Sequence, residues 1–246
     1  MSVESKKAFD PARYFRKLGR SIKKRVYWWK LKRKFTGGWS AESGDKEFSR
    51  RSYNSYGEYL EHQRSKLNII DLKTYDEKFR AALGKRLAEC GVPLHGKTAL
   101  CLAARIGSEV KAFIDNGCFA IGIDLNPGEN NHYVVHGDFH ALQYAPESVD
   151  FVFTNSLDHA FDISRIAKEV RKVLKADGRL IIEAIDGEAE GEQPGFFESF
   201  SWSTTDDLVK LFEREGFKLV KREPFEYPWK GRQLHLVKTA DAPVEG

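Results

Sequence analysis

The segment Thr98-Ala-Leu-Cys-Leu-Ala-Ala-Arg-Ile-Gly-Ser-Glu-Val110 constrains this chain more than any other. The apolar run Ala99 to Leu102 reads as a buried strand. Small residues then turn the chain sharply towards Gly107, and a helical pattern opens at Ser108. A second apolar run, Phe119-Ala-Ile-Gly-Ile-Asp124, ends on a carboxylate. In an open parallel sheet, ligands sit outside the carboxyl ends of the strands, where a helix N-terminus directs its N–H groups at them. An acid that ends the second strand is placed to accept hydrogen bonds from ribose hydroxyls. The pattern therefore predicts a nucleoside-binding edge.

Strands and helices keep alternating downstream. Tyr133–His136 reads as a third strand, followed by Gly137-Asp138, and Asp150–Asn155 as a fourth. Ile163–Leu174 is predicted to be a helix with Ile166, Ala167, Val170 and Leu174 inward. Lys175-Ala-Asp-Gly178 is a turn, and Arg179–Ile185 a fifth strand. This alternation predicts an α/β fold, a doubly wound and mostly parallel sheet with helices on both faces. Beyond it, Ser203-Thr-Thr-Asp206 fits a capping box opening a helix that carries Leu208, Leu211 and Phe212. Phe217–Lys221 and Arg232–Thr239 are the last strands. Their connection is too short for a crossover helix, so they are predicted to be antiparallel, completing seven strands. Upstream, helices are predicted from Tyr53 to Leu72 and from Tyr75 to Cys90, the second ended by Gly91-Val-Pro93.

A chain of 246 residues accommodates one large domain or one domain plus an extension. Its hydrophobic fraction of 41% is a little low for a globular chain, so part is expected outside the core. The expected division is a basic amphipathic arm (1–38), a helical N-terminal extension (39–94) and the nucleoside-binding domain (95–240). The arm is charged apart from the rest: residues 1–40 hold thirteen Lys or Arg against two acids, Glu4 and Asp10. Asp10-Pro11 reads as a helix start, and Tyr14, Leu18, Ile22, Val26 and Trp29 recur at helical spacing. Three readings of this arm stand open. It lies on an anionic membrane surface through residues 11–35, with Trp28 and Trp29 at headgroup level; it binds nucleic acid through phosphates; or it packs on its own domain. The apolar stripe and the tryptophans favour the membrane, and no further nucleic-acid signature is present. No apolar run of transmembrane length and no signal-peptide core is seen, so the expected location is cytoplasmic, peripheral at the inner face of the membrane. Cys90, Cys101 and Cys118 lack metal-ligand spacing and read as reduced, mostly buried thiols.

With these elements in order, the chain resembles a class I S-adenosylmethionine-dependent methyltransferase over residues 95–240. The resemblance rests on the turn after strand one, Asp124, Gly137-Asp138 and the closing hairpin. Asp150-Phe-Val-Phe-Thr-Asn-Ser-Leu-Asp-His159 and Glu169-Val-Arg-Lys-Val-Leu-Lys-Ala-Asp-Gly178 resemble later motifs of the small-molecule branch. It implies S-adenosyl-L-methionine as cofactor and a small-molecule, sugar or lipid-linked acceptor. The turn from Ala103 through Ala104 and Arg105 to Gly107 would approach the cofactor's methionine part. Asp124, with Leu125 beside it, would hold the ribose. Asp138 would accept from the adenine amino group with Phe139 packed on the base, and Asn155 and Ser156 would lie near the sulfonium and the acceptor. One departure stands out: such families carry Gly-x-Gly-x-Gly where this chain has Ala103-Ala-Arg105-Ile-Gly107. Ala103 substitutes for glycine if its φ is negative, whereas Arg105 adopts a positive φ only at a cost.

Each candidate has a plainer alternative. Glu109 either contacts the positive end of the cofactor or only complements a helix N-terminus. Asp158 and His159 follow strand four, where acceptors approach. His159 is a candidate proton acceptor, against the alternative of a capping Asp and a lining His. Gly187–Ser201 reads as an acceptor-pocket loop or as a surface loop. Tyr53, Tyr56 and Gln63 either cover the cofactor or form a core-facing stripe. His62, His132, His136, His140 and His235 show no convergent spacing, so no metal site is expected. A nicotinamide dehydrogenase would need Gly-x-Gly-x-x-Gly in the first turn, which this chain lacks. A binding or regulatory protein that has the fold without the catalysis is the other alternative.

Overall fold

The computed structural model describes residues 27, 28, 30, 32, 34, 38–41, 47–66 and 73–239. At its centre lies a seven-stranded sheet of β3 (Thr98–Leu102), β4 (Phe119–Asp124), β5 (Val134–His136), β6 (Val149–Thr154), β7 (Leu174–Ile185), β9 (Phe217–Phe225) and β10 (Gly231–Lys238). The spatial order is β5-β4-β3-β6-β7-β10-β9. β3 pairs in parallel with β4 from Thr98↔Phe119 to Leu102↔Ile123, and with β6 around Leu100↔Val152. β10 is antiparallel to both β7 and β9, as the short connection requires.

The pleat sorts each strand between two cores. Ala99 and Cys101 point to one face, where α2 (Lys73–Ala88) brings Phe79, Leu83 and Leu87 and α3 (Ser108–Asp115) brings Val110 and Phe113. Leu100 and Leu102 point to the other, against Ile163, Ile166 and Val170 of α4 (Ile163–Val173) and Leu208 and Phe212 of α5 (Thr205–Arg214). Burying each such large side chain stabilises by about 1.5–3 kcal/mol, so the three fully buried residues of α2 hold it on the sheet more firmly than helix propensity does. A polar chain crosses the first core. Arg86 of α2 forks onto buried Glu183 at 2.6 and 2.9 Å, and Gln233 donates to Glu183 and accepts from His235.

The parallel step from β4 to β5 has no helix. Asn131 holds that connection instead: its Nδ2 donates to the carbonyls of Arg105 and Pro127, and its Oδ1 accepts from the backbone of Tyr133 and Val134. The three cysteines are buried and unpaired, as predicted.

The sequence reading needs correction in three places. Residues 39–94 are not all helical: β1 (Trp39–Ala41) and β2 (Phe48–Arg51) precede α1 (Tyr56–Ser65). β2 pairs with β8 (Phe200–Trp202), so this segment joins the main domain in a second, three-stranded sheet. The capping box lies one residue later, because Thr204 Oγ1 accepts from Asp207 N while Asp207 Oδ2 accepts from Thr204 N. Lys175–Gly178 belongs to β7 around an irregularity in its pairing with β6. Among the described residues no helix is long and apolar enough to cross a membrane.

Candidate active site

The carboxyl ends of β3, β4 and β6 open on one cleft. Its first cavity is lined by Ala103, Arg105, Asp124, Leu125, Phe139 and His159, with Tyr59, Gln63 and Lys66 from the α1 side. Asp124 shapes the floor: Oδ2 accepts from Arg105 N at 2.9 Å and Oδ1 from Asn126 N at 2.7 Å. Each oxygen keeps a lone pair for a ligand hydroxyl.

The turn differs from expectation at Ala103. Its φ is +53°, not negative, and that of Arg105 is +44°. Left-handed backbone costs a non-glycine residue about 1–2 kcal/mol. The hydrogen bonds of Asp124 to Arg105 and of Ala104 N to the Ile123 carbonyl (2.9 Å) hold the turn in that shape. Gly107, at φ +82°, caps α3; a β-carbon there would lie 2.8 Å from Tyr133 Cβ.

Asp138 is not among the side chains lining the cleft, although its neighbours Gly137 and Phe139 are. Its Oδ1 accepts from His140 N and Nδ1, both at 2.9 Å, and its Oδ2 accepts from the Tyr56 hydroxyl. His140 Nε2 in turn accepts from the Phe161 and Asp162 amides. Asp138 thus joins α1 to the sheet edge and has protein partners where an adenine amino group was expected. Tyr56 and Tyr53 belong to this aromatic and hydrogen-bonded packing. Gln63 and Tyr59 line the cavity.

A second cavity of about 340 Å³ continues from the first past Lys66, Ala103, Arg105 and His159. Its walls bring together Ala104, Glu109, Asn155, Ser156 and Asp158. Glu109 is 6% exposed; its Oε1 accepts from Asn155 Nδ2, and its Oε2 has no partner among the described residues. Burial raises this carboxyl to about 7, against the opposing pull of the Arg105 charge. Such a group calls for a cation or donor in the cavity.

Asp158 and His159 lie on a short 3-10 turn after β6. His159 Nδ1 donates to the Phe197 carbonyl at 3.0 Å, which leaves Nε2 as the lone-pair nitrogen, and Nε2 accepts from the Lys66 ammonium. Burial, together with the nearby Lys66 and Arg105 charges, keeps the imidazole neutral. Burial also raises Asp158 to about 7. Three residues in this wall were not legible as site residues: Lys66, Glu198 and Trp229. Glu198 comes from the 187–201 loop, which is therefore a wall of the cleft. Gln63 Nε2 also donates to the Phe197 carbonyl, and Arg51 to the carbonyls of Glu198 and Gly195. One donor atom from each of Asp158, His159 and Glu198 falls within 4.8 Å of the others. The Lys66 ammonium on His159 already supplies a positive charge there.

The residues suit an adenosyl sulfonium amino acid: Asp124 for ribose hydroxyls, the unpartnered Glu109 oxygen for the ammonium, and apolar Phe139 beside the first cavity. Residues 100–182 match the methyltransferase domain family. No curated protein matches the chain. The Burkholderia thailandensis 1,6-didemethyltoxoflavin-N1-methyltransferase, solved with 1,6-didemethyltoxoflavin and S-adenosylhomocysteine, superposes with a TM-score of 0.62 at 17% identity, over 80% of this chain and 98% of that one. A SAM-dependent methyltransferase from Aquifex aeolicus gives 0.56 at 14%, over 68% and 97%. One from Mesorhizobium loti gives 0.51 at 12%, over 63% and 96%. At such identities the structural likeness is one of fold, and the family match adds the activity. Residues 100–182 of this chain thus belong to a class I S-adenosylmethionine-dependent methyltransferase domain.

Proposed function

We propose that the enzyme methylates a small-molecule, sugar or lipid-linked acceptor bound in the second cavity, with His159 taking the acceptor's proton. The observation that carries this reading is the cavity of about 340 Å³ lined by Glu109, His159, Glu198 and Trp229, a size suited to a small ligand. The Burkholderia enzyme holds a small molecule beside the same kind of fold.

The cofactor, when bound, supplies an activated methyl group, so the protein's work is alignment and proton removal. Ala103–Arg105 and Asp124 form the cofactor floor. Phe139 packs against the base, and Glu109 and Asn155 face the methionine end. Ser156 and Asp158 flank the transfer region. His159 has the tautomer a base needs, because the Phe197 carbonyl occupies the protonated nitrogen. The left-handed angles at Ala103 and Arg105 support a turn that works without its usual glycines.

The arm is assigned to an anionic membrane surface. Lys30 and Lys32 are exposed, in support of this assignment, but Lys34 is paired with Glu61 and Trp28 is not free for the headgroups. It packs on Phe196 and Phe197 with ring centroids 5.3 and 5.4 Å apart. The rest of the predicted arm helix, including Trp29 and residues 11–26, lies outside the described residues. Salt-sensitive binding to anionic vesicles, lost on deleting residues 1–35, is the expected result; unchanged binding after the deletion refutes the assignment.

Calorimetry with S-adenosylmethionine and S-adenosylhomocysteine tests the main reading. Asp124→Ala should weaken both by roughly ten- to a hundredfold, the worth of hydrogen bonds to a charged group. Undiminished affinity removes the ribose assignment, and no heat from either ligand with the unaltered protein removes the cofactor reading.

A further inference from the structure

Lys66 follows α1 and lines both cavities, at the point where they meet. Its ammonium donates to His159 Nε2, the one nitrogen of that ring able to accept an acceptor's proton. In this arrangement the base is capped. Nothing else anchors Lys66 firmly: its contacts are this hydrogen bond and the Phe197 ring at 5.8 Å, and no carboxylate among the described residues is paired with it.

A second cation stands close by. Arg105 lines the same two cavities, and its guanidinium has neither hydrogen bond nor ion pair among the described residues. Glu109 lines the same second cavity, and its Oε2 has no partner among the described residues. Two cations without ion pairs share the walls of one cavity with Glu109 and Glu198, each of which leaves an Oε2 atom unpartnered among the described residues, and this set complements an amino-acid zwitterion. Its ammonium goes to Glu109, and its carboxylate goes between Arg105 and Lys66.

We propose that Lys66 guards His159: it caps Nε2 in the empty cleft and shifts to the cofactor's carboxylate beside Arg105 in the loaded one, so that the base is exposed only when the methyl donor is in place. Lys66 is thus a positioning residue acting through His159. The inference rests on the cofactor and base assignments above, and adds to them the order in which the site becomes competent. The electrostatics are consistent with it. Burial, then the Arg105 charge, lower the Lys66 ammonium to about 8, while Asp158, Glu198 and Asp124 pull the other way. An anion between Lys66 and Arg105 removes the main repulsion and raises it again.

The test compares S-adenosylhomocysteine with 5′-methylthioadenosine, which lacks the amino-acid end. In the unaltered protein, S-adenosylhomocysteine should move the ¹⁵N resonance of His159 Nε2, and methylthioadenosine should not. In Lys66→Met, affinity for S-adenosylhomocysteine should fall about tenfold with methylthioadenosine unaffected. The His159 resonance of the empty variant should already have left its capped position, and Lys66→Arg should recover most of the affinity. A measurement without substitution accompanies these. At pH 8.5, calorimetry in two buffers of different ionisation enthalpy should show proton uptake on binding S-adenosylhomocysteine and none on binding methylthioadenosine. Equal S-adenosylhomocysteine affinity in the unaltered protein and Lys66→Met, an unmoved His159 resonance, or no proton uptake overturns the guard. Failure of the unaltered protein to bind either nucleoside overturns the cofactor reading and the guard together.

Discussion

Replacing Glu109 by glutamine isolates the electrostatic cost of the site. Burial raises its carboxyl from 4.5 to about 7. Because the folded value lies above the unfolded one, ionisation opposes folding: the penalty is absent below about pH 4.5, grows as pH rises, and is complete above about pH 7. At 1.36 kcal/mol per unit this amounts to roughly 3 kcal/mol. Glutamine keeps an oxygen for Asn155 Nδ2 and cannot ionise. Urea denaturation of the ligand-free proteins at pH 5 and pH 8 should therefore show the variant gaining on the unaltered protein by about 3 kcal/mol between the two conditions. For a chain of this size that is about 6–12 °C in Tm. Other groups titrate in the same window, but they do so in both proteins, and the difference cancels them. Saturating S-adenosylhomocysteine should reverse the order at pH 8, since its ammonium neutralises only the carboxylate. A stability difference that is the same at both pH values refutes the burial argument for Glu109.

Three further outcomes are expected. Gly107→Ala combines a left-handed φ with a β-carbon at 2.8 Å from Tyr133 Cβ, and should cost at least about 2 kcal/mol in urea denaturation; a loss below about 0.5 kcal/mol contradicts the geometry. Arg86→Met strands the buried Glu183 carboxylate and should destabilise by about 3–5 kcal/mol; the double variant Arg86→Met/Glu183→Met should recover much of this, and no recovery refutes the pairing. Burial raises the Asp138 carboxyl, but hydrogen bonds from His140 and Tyr56 outweigh it and hold the group at about 2. Its contribution to stability is therefore present above its ordinary range near pH 4 and is lost as pH falls towards 2; in Tyr56→Phe the acid limb should begin at higher pH, and an unmoved limb counts against the Tyr56 contact.

The sheet was legible because its signals are local. Ala99–Leu102 is a short apolar run and Asp150–Asn155 is a strand-length segment around Phe151-Val-Phe153, and the intervening helices carry their own periodicity. The floor of the cleft was legible for the same reason, since Asp124, Leu125 and the 103–107 turn follow directly from strand ends. What escaped depends on distant partners. β1 and β2 contain Arg50, Arg51 and serines, and become strands because β8 offers an edge some 150 residues later. Glu198 and Lys66 reach His159 only through the fold, and neither carries a local motif that would mark it. The partners of Asp138 were not legible because Gly-Asp after a strand looks the same whether its carboxylate meets a ligand or a tyrosine. The positive backbone angle at Ala103 was not legible because the anchoring carboxylate, Asp124, lies 21 residues downstream.

Pairing of Phe48–Arg51 with Phe200–Trp202 also has a consequence for biosynthesis. On the ribosome, the five parallel strands have been translated by Ile185, while the acceptor wall and the edge that β2 requires have not. A nascent chain stalled near Gly195 would have the nucleoside floor but leave Phe197 and its carbonyl unmade, so the imidazole at 159 would have no fixed orientation. Methylating competence is thus expected only after Trp202 has been made, even though most of the Rossmann-like scaffold precedes it from the tunnel.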